Sequence, residues 1–181
     1  NNAGISMRAL FADLDLAVLK QVMDINFWGT VYTTHAALPY LKQSKGGIIG
    51  ISSIAGFRGL PVRSGYSASK FAMNGFLEAL RTELLHSGVH VLIACPGFTA
   101  SNIRNSSLNS EGNITGETMR EEEKMMTSEE VATKIINIDN GQLISWSGDY
   151  QGFLRHKEAL IAAEEKANAL FDKRLSQEEV W

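Results

Sequence analysis

Ser53, Tyr66 and Lys70 are residue types that can move a proton, and their spacing brings them toward one place. Ser53 closes the apolar run Ile51-Ser52-Ser53, and Tyr66-Ser67-Ala68-Ser69-Lys70 opens a helix-like one. A tyrosine and a lysine four residues apart lie on one helix face. The ammonium is then close enough to favour the ionised phenol, which predicts a phenol pKa lowered from about 10 toward working pH. A serine at the end of a neighbouring strand can hydrogen-bond the same substrate oxygen, polarising a carbonyl or holding an alcohol for proton removal. The chemistry these three residues fit is carbonyl–alcohol redox chemistry.

The elements that must position them follow from the pattern of apolar residues. Residues 13–44 form one long helical pattern in which Leu19, Val22, Ile25 and Trp28 recur at helical spacing, with Pro39 marking a bend. Asn26 lies within this stripe, where a buried amide costs a few kcal/mol unless it is hydrogen-bonded. Gly46-Gly47 breaks the chain before a strand at 48–53, whose β-branched run suits burial on both faces. A second helix is predicted over 67–86 and a strand over 89–95, stopped by Pro96-Gly97. This alternation of helix and strand predicts an α/β fold with a parallel sheet.

Four motifs in register resemble the short-chain dehydrogenase/reductase family. Asn1-Asn2-Ala3-Gly4 is similar to its NNAG turn, Asp24-Ile25-Asn26 to its catalytic-asparagine segment, Ser53 with Tyr66-Ser67-Ala68-Ser69-Lys70 to its S...YxxxK signature, and Pro96-Gly97 to its nicotinamide-side loop. The resemblance implies a partial doubly wound, Rossmann-type sheet over residues 1–131 and an NAD(P)-dependent oxidoreductase using NADP or NAD. It further implies Tyr66 as proton donor or acceptor, Ser53 orienting the substrate oxygen, and Lys70 supporting Tyr66 while holding the nicotinamide ribose. Asn26 would hold a water of the proton relay, or serve as a satisfied core amide. Asn1, Ala3 and Gly4 would flank the adenosine ribose. Pro96, Gly97, Phe98, Thr99 and Ser101 would approach the nicotinamide carboxamide. The implied substrate is a small carbonyl or alcohol, and the intact family member is expected to be a homo-oligomer. The family's Gly-rich phosphate turn has no counterpart in these residues, so the chain reads as a fragment with impaired cofactor binding.

Composition bounds the remaining possibilities. A length of 181 residues with 44% hydrophobic content supports one sizeable core. A net charge of -3 carries no electrostatic footprint for nucleic acid or an anionic membrane. The single cysteine, Cys95, falls in an apolar run and rules out an intrachain disulfide framework, in keeping with a cytoplasmic protein. His35, His86, His90 and His156 show no metal-ligand spacing. The two glycosylation-type sequons at Asn105 and Asn113 are read as chance, because no signal peptide accompanies them.

Beyond Pro96-Gly97 the text becomes polar over residues 100–127, as either a substrate lid or a surface loop. Phe98, Ile103, Leu108 and Met119 are its candidate lid contacts. Ser128-Glu129-Glu130 marks a capped helix start. Asn140-Gly141 between apolar flanks predicts a β-hairpin, and a long helix follows over 152–179. Ile138-Asp139-Asn140-Gly141, Trp146-Ser147-Gly148-Asp149-Tyr150 and residues 171–181 resemble the end of an ATP-binding domain of ABC-F proteins and the start of their interdomain helix. That resemblance divides the chain into 1–131 and a tail at 132–181. It leaves two competing readings beside the enzyme: an ABC-F-like module docking on a ribosome, and an inactive dimerising remnant.

Overall fold

The computed structural model describes residues 1–115 and 125–136, all within one compact unit. The predicted hairpin, the tail helix and Met119 lie outside the described residues.

The first long helix starts where a cap is available. Asp15 has extended backbone and its side chain accepts from the Ala17 amide at 2.8 Å, so α1 runs Leu16–Met23 rather than from residue 13, which belongs to a short 3-10 turn, Phe11–Asp13. A five-residue π turn, Asp24–Trp28, then carries the chain into α2, Gly29–Ser44. Pro39 lies inside α2.

Strand β1 spans Gly47–Ile51, ending two residues earlier than predicted, because Ser53 caps a 3-10 turn, Ile54–Gly56, by accepting from the Ala55 amide. Nor is β1 buried on both faces. Ile48 and Gly50 point into the core, whereas Ile49 is 44% exposed. The reason is its surroundings: α3 packs on one face only among the described elements. Helix α3 covers Ser64–Glu83, starting three residues earlier than predicted and placing Tyr66 in its first turn. It carries the chain over to β2, His90–Ala94, which pairs with β1 in parallel, Gly47 opposite His90 and Ile51 opposite Ala94. On the other edge of β1, Asn1 bonds the strand through its nitrogen to the Ile49 carbonyl (2.8 Å) and through its own carbonyl from the Ile51 amide (2.9 Å). The result is an α/β arrangement with a parallel sheet and flanking helices, the expected partial Rossmann-type layout.

The helix α4, Ser128–Ile136, is capped by Thr127, not Ser128. The Thr127 hydroxyl accepts from the Glu130 amide and the Glu130 carboxylate accepts from the Thr127 amide, a reciprocal capping box. Helix α4 passes through residue 131, the expected division of the chain, without a break. Met126 and Ser128 tie its start to Phe98 and Ala100, beyond the end of β2.

Two apolar clusters fill the interior. Ile48, Met73, Leu77, Leu80, Val91 and Ile93 join the sheet to α3, and Met7, Leu14, Val18, Val22, Tyr66 and Leu108 join α1 to the start of α3. Leu108, a candidate lid residue on sequence, is thus core. Its backbone bridges Met7, which fixes the polar segment to the strand-like stretch after Gly4.

Candidate active site

A cleft of about 1040 Å³ opens where β1 and β2 end. The extended chain after Ile51 and the start of α3 bring Ser53, Tyr66 and Lys70 to its wall together, as do Asn1 and Gly4, and the loop after β2 adds Pro96, Gly97, Phe98, Thr99 and Ser101. Ala3 does not line it. Val131, Ala132 and Ile135 of α4 form an apolar side opposite, and Phe98 and Ile103 contribute to the same lining.

Tyr66 is buried, and its phenol feels the nearby Ser53 hydroxyl on the same cleft wall. Two hydroxyls on one cleft wall are the donor types that a carbonyl oxygen needs to be polarised and protonated. The electrostatics differ from the sequence expectation. Burial raises the phenol pKa above its ordinary 10.0, and the opposing influences are the Ser53 hydroxyl and the positive charge of Arg63. Lys70 lies 5.8 Å from the Tyr66 ring centroid but aims its Nζ at the Ile51 carbonyl, 2.9 Å away. Its ammonium is buried, which lowers its pKa to about 8, with the Cys95 thiol acting in the opposite sense. Lys70 therefore sits one turn beyond Tyr66 as expected, while the lowering of the phenol pKa is not what this arrangement produces: desolvation outweighs the nearby charge.

Asn26 is completely buried in the π turn, and both ends of its amide are used. Oδ1 accepts from the Ile5 amide at 2.8 Å, and Nδ2 donates to the Ile5 carbonyl and to Ser69 Oγ, each at 2.9 Å. The side chain thus clamps the segment after Gly4 onto α3, one residue from Lys70. Gly4 packs closely there: a Cβ at this position would lie 3.2 Å from Asn26 Oδ1, so the amide would have to give by a few tenths of an ångström.

The short chain dehydrogenase family matches residues 1–112, more than half of the 181. The chain belongs to the short chain dehydrogenase family. Among curated relatives it is 46% identical over 104 residues to 11-beta-hydroxysteroid dehydrogenase 1A of Arabidopsis thaliana, covering 57% of this chain and 30% of that protein. It is 38% identical over 157 residues to Dehydrogenase/reductase SDR family member 7 of Homo sapiens, covering 85% of this chain and 46% of that protein. Member 7B of Mus musculus is 36% identical over 138 residues, 76% of this chain and 43% of that protein. The chain thus spans less than half the length of these relatives. A match covering 85% of the chain cannot be held within residues 1–131, so similarity to this dehydrogenase/reductase continues past α4's midpoint.

Against the family's motifs, sequence reasoning missed three cleft residues, Arg8, Arg63 and Arg104. Arg63 donates from Nη1 to the buried Ser6 Oγ at 2.7 Å. Burial lowers its pKa, the Tyr66 phenolate opposes that, and the neighbouring charges of Arg8 and Arg104 lower it further. Just before it, Val62 adopts φ 57, a left-handed conformation that a β-branched residue rarely takes and that costs on the order of 1–3 kcal/mol. The Ala9 amide holds it there through the Val62 carbonyl at 2.9 Å. No spacing rule marks these arginines, because residues 8, 63 and 104 meet only after the segment following Gly4 has paired with Leu108 and packed on α3.

Proposed function

We propose that this chain carries the catalytic portion of an NAD(P)-dependent oxidoreductase that interconverts a carbonyl and an alcohol. The observation supporting this most directly is that Tyr66, Ser53 and Lys70 line the wall of one cleft, with Tyr66 and Lys70 buried there. In carbonyl reduction, Ser53 donates to the substrate oxygen and Tyr66 delivers the proton to it. In alcohol oxidation the same hydroxyls take the proton away. A protonated phenol at neutral pH, favoured by burial, suits the reductive direction.

The nicotinamide half of a dinucleotide fits these residues. The cleft is large enough for that half and a small substrate side by side. The Lys70 ammonium has a single acceptor among its hydrogen-bond contacts, the Ile51 carbonyl, and two further N–H groups suited to ribose hydroxyls. A bound nicotinamide would supply or accept the hydride. Asn1 and Gly4 are on the wall where a ribose would rest, and Pro96 to Thr99 where a carboxamide would. The catalytic substrate is a small carbonyl or alcohol compound, and oligomerisation through the long helices belongs to the same reading.

The test is turnover by a longer version of the chain that supplies the Gly-rich phosphate turn, with NADPH and a panel of aldehydes and ketones, followed through the nicotinamide absorbance, beside its Tyr66→Phe variant. Loss of roughly 2–4 orders of magnitude in turnover with unchanged NADPH fluorescence titration is expected, because only the proton donor is removed. Near-normal turnover in Tyr66→Phe would reject the mechanism.

A further inference from the structure

The charged side chains lining the cleft are all cations: Arg8, Arg63, Lys70 and Arg104, with no aspartate or glutamate among the described lining residues. This runs against the balance of the whole chain, whose net charge is -3. Lys70 is used at the Ile51 carbonyl. The three arginines form a separate group. The charges of Arg8 and Arg104 both reach Arg63, and the charge of Arg63 reaches the Tyr66 phenol. Gathering like charges around a half-buried guanidinium is unfavourable, and the usual remedy is a neighbouring carboxylate. Neither Arg8 nor Arg63 forms an ion pair with a described carboxylate. Arg63 is instead oriented by a neutral acceptor, Ser6 Oγ at 2.7 Å, and Arg104 stands 5.8 Å from the ring of the cleft residue Phe98. A guanidinium held by one neutral bond keeps its remaining N–H fork for an oxyanion.

We propose that the substrate of this cleft carries a carboxylate or phosphate on the same molecule as its reacting carbonyl or alcohol, held by Arg63 with Arg8. The position of the reacting group rests on the Tyr66 reading above, whereas the anion site rests on the arginines. The anion compensates the positive charge of Arg63 and Arg8 and fixes the substrate's tail at the start of α3, about two helical turns before Lys70, so that the other end meets Tyr66 and Ser53. Selection between charged and neutral carbonyl compounds is the functional result.

The test compares 4-carboxybenzaldehyde with its methyl ester, binding to the 181-residue chain by ligand-observed NMR at low and high salt. The acid should bind about tenfold or more tightly than the ester at low salt, with the preference shrinking as ionic strength rises. Arg63→Met should abolish the preference. Since Arg63 also anchors Ser6, the exposed Arg8→Met provides a second variant that leaves packing intact and should reduce the preference severalfold. Equal binding of acid and ester, no binding of the acid, or a preference untouched by both variants would overturn the proposal. So would inorganic pyrophosphate binding through Arg63 while the two aldehydes bind alike, which would assign the arginines to cofactor phosphates. Hydride transfer is read separately: its absence with an intact acid preference counts against the redox reading and not against the anion site.

Discussion

Lys70 shows how burial, not proximity, sets protonation in this cleft. Its folded pKa of about 8 lies below its ordinary 10.5 because the ammonium is desolvated. At pH values below about 8 the lysine is charged in both folded and unfolded chains, and the folded state bears the full burial cost. Between about 8 and 10.5 the unfolded chain binds more protons, so this group's contribution to stability rises with pH. Lys70→Met removes the charge and keeps much of the volume. Urea denaturation across pH should find the variant's advantage over the parent greatest below pH 8 and shrinking by on the order of 3 kcal/mol by pH 10.5. Tyr66 and Cys95 have the opposite sign: burial raises both, so each costs stability as pH climbs past its ordinary 10.0 and 9.0. Both are present in parent and variant, so a pH-independent difference would refute the assignment of a low Lys70 pKa.

The elements around the site are held by close approaches that leave little tolerance. The π turn at Asp24–Trp28 turns Asn26 inward, and its amide replaces sheet-like pairing for both backbone groups of Ile5. Asn26→Ala leaves both Ile5 groups without a partner and removes one of the two bonds of the Ser69 hydroxyl, which keeps its donation to the Tyr66 carbonyl; it should destabilise the fold by about 2–4 kcal/mol, read from the denaturation midpoint. A loss no larger than that of an exposed substitution would mean the clamp is dispensable. Helix α3 lies so close to β1 that a Cβ at Gly50 would collide with Leu77 Cδ1 and stand 3.0 Å from Met73 Cε. Gly50→Ala should therefore cost roughly 1–3 kcal/mol by overpacking. Gly59, where a Cβ meets nothing within 4 Å, provides the control: Gly59→Ala should stay within about 0.5 kcal/mol of the parent.

Across the whole described unit, α3 belongs to both apolar clusters, Tyr66 to one and Met73, Leu77 and Leu80 to the other. Neither cluster can dissolve while α3 remains in place for the other, so the two should unfold together. Val18→Ala in the α1 cluster and Leu77→Ala in the sheet cluster should each shift one common transition, Leu77→Ala by about 2–5 kcal/mol. Hydrogen exchange that lets β1 amides open independently of α1 amides would show two units instead. The same packing keeps the cleft wall rigid, since Ser53, Tyr66 and Arg63 are all mounted at the ends of elements that enter these clusters.

Local pattern determined much of this protein. Tyr66 and Lys70 share a face because a helix repeats every 3.6 residues, and the alternation of helical and strand-like runs was enough for a parallel α/β layout. The NNAG, S...YxxxK and Pro96-Gly97 motifs marked part of the cleft wall, including Tyr66, Ser53 and Lys70. Element ends were less legible, because Asp15, Ser53 and Thr127 act as caps through single hydrogen bonds that periodicity does not register. Tertiary structure alone decided three things: the one-sided burial of β1, the use of both ends of the Asn26 amide, and the joining of Arg8, Arg63 and Arg104 beside Tyr66. Each depends on residues tens of positions apart, and so does desolvation, which reversed the expected direction of the Tyr66 pKa. Burial and long-range charge are properties of what the folded chain excludes from water, and no short stretch of sequence contains them.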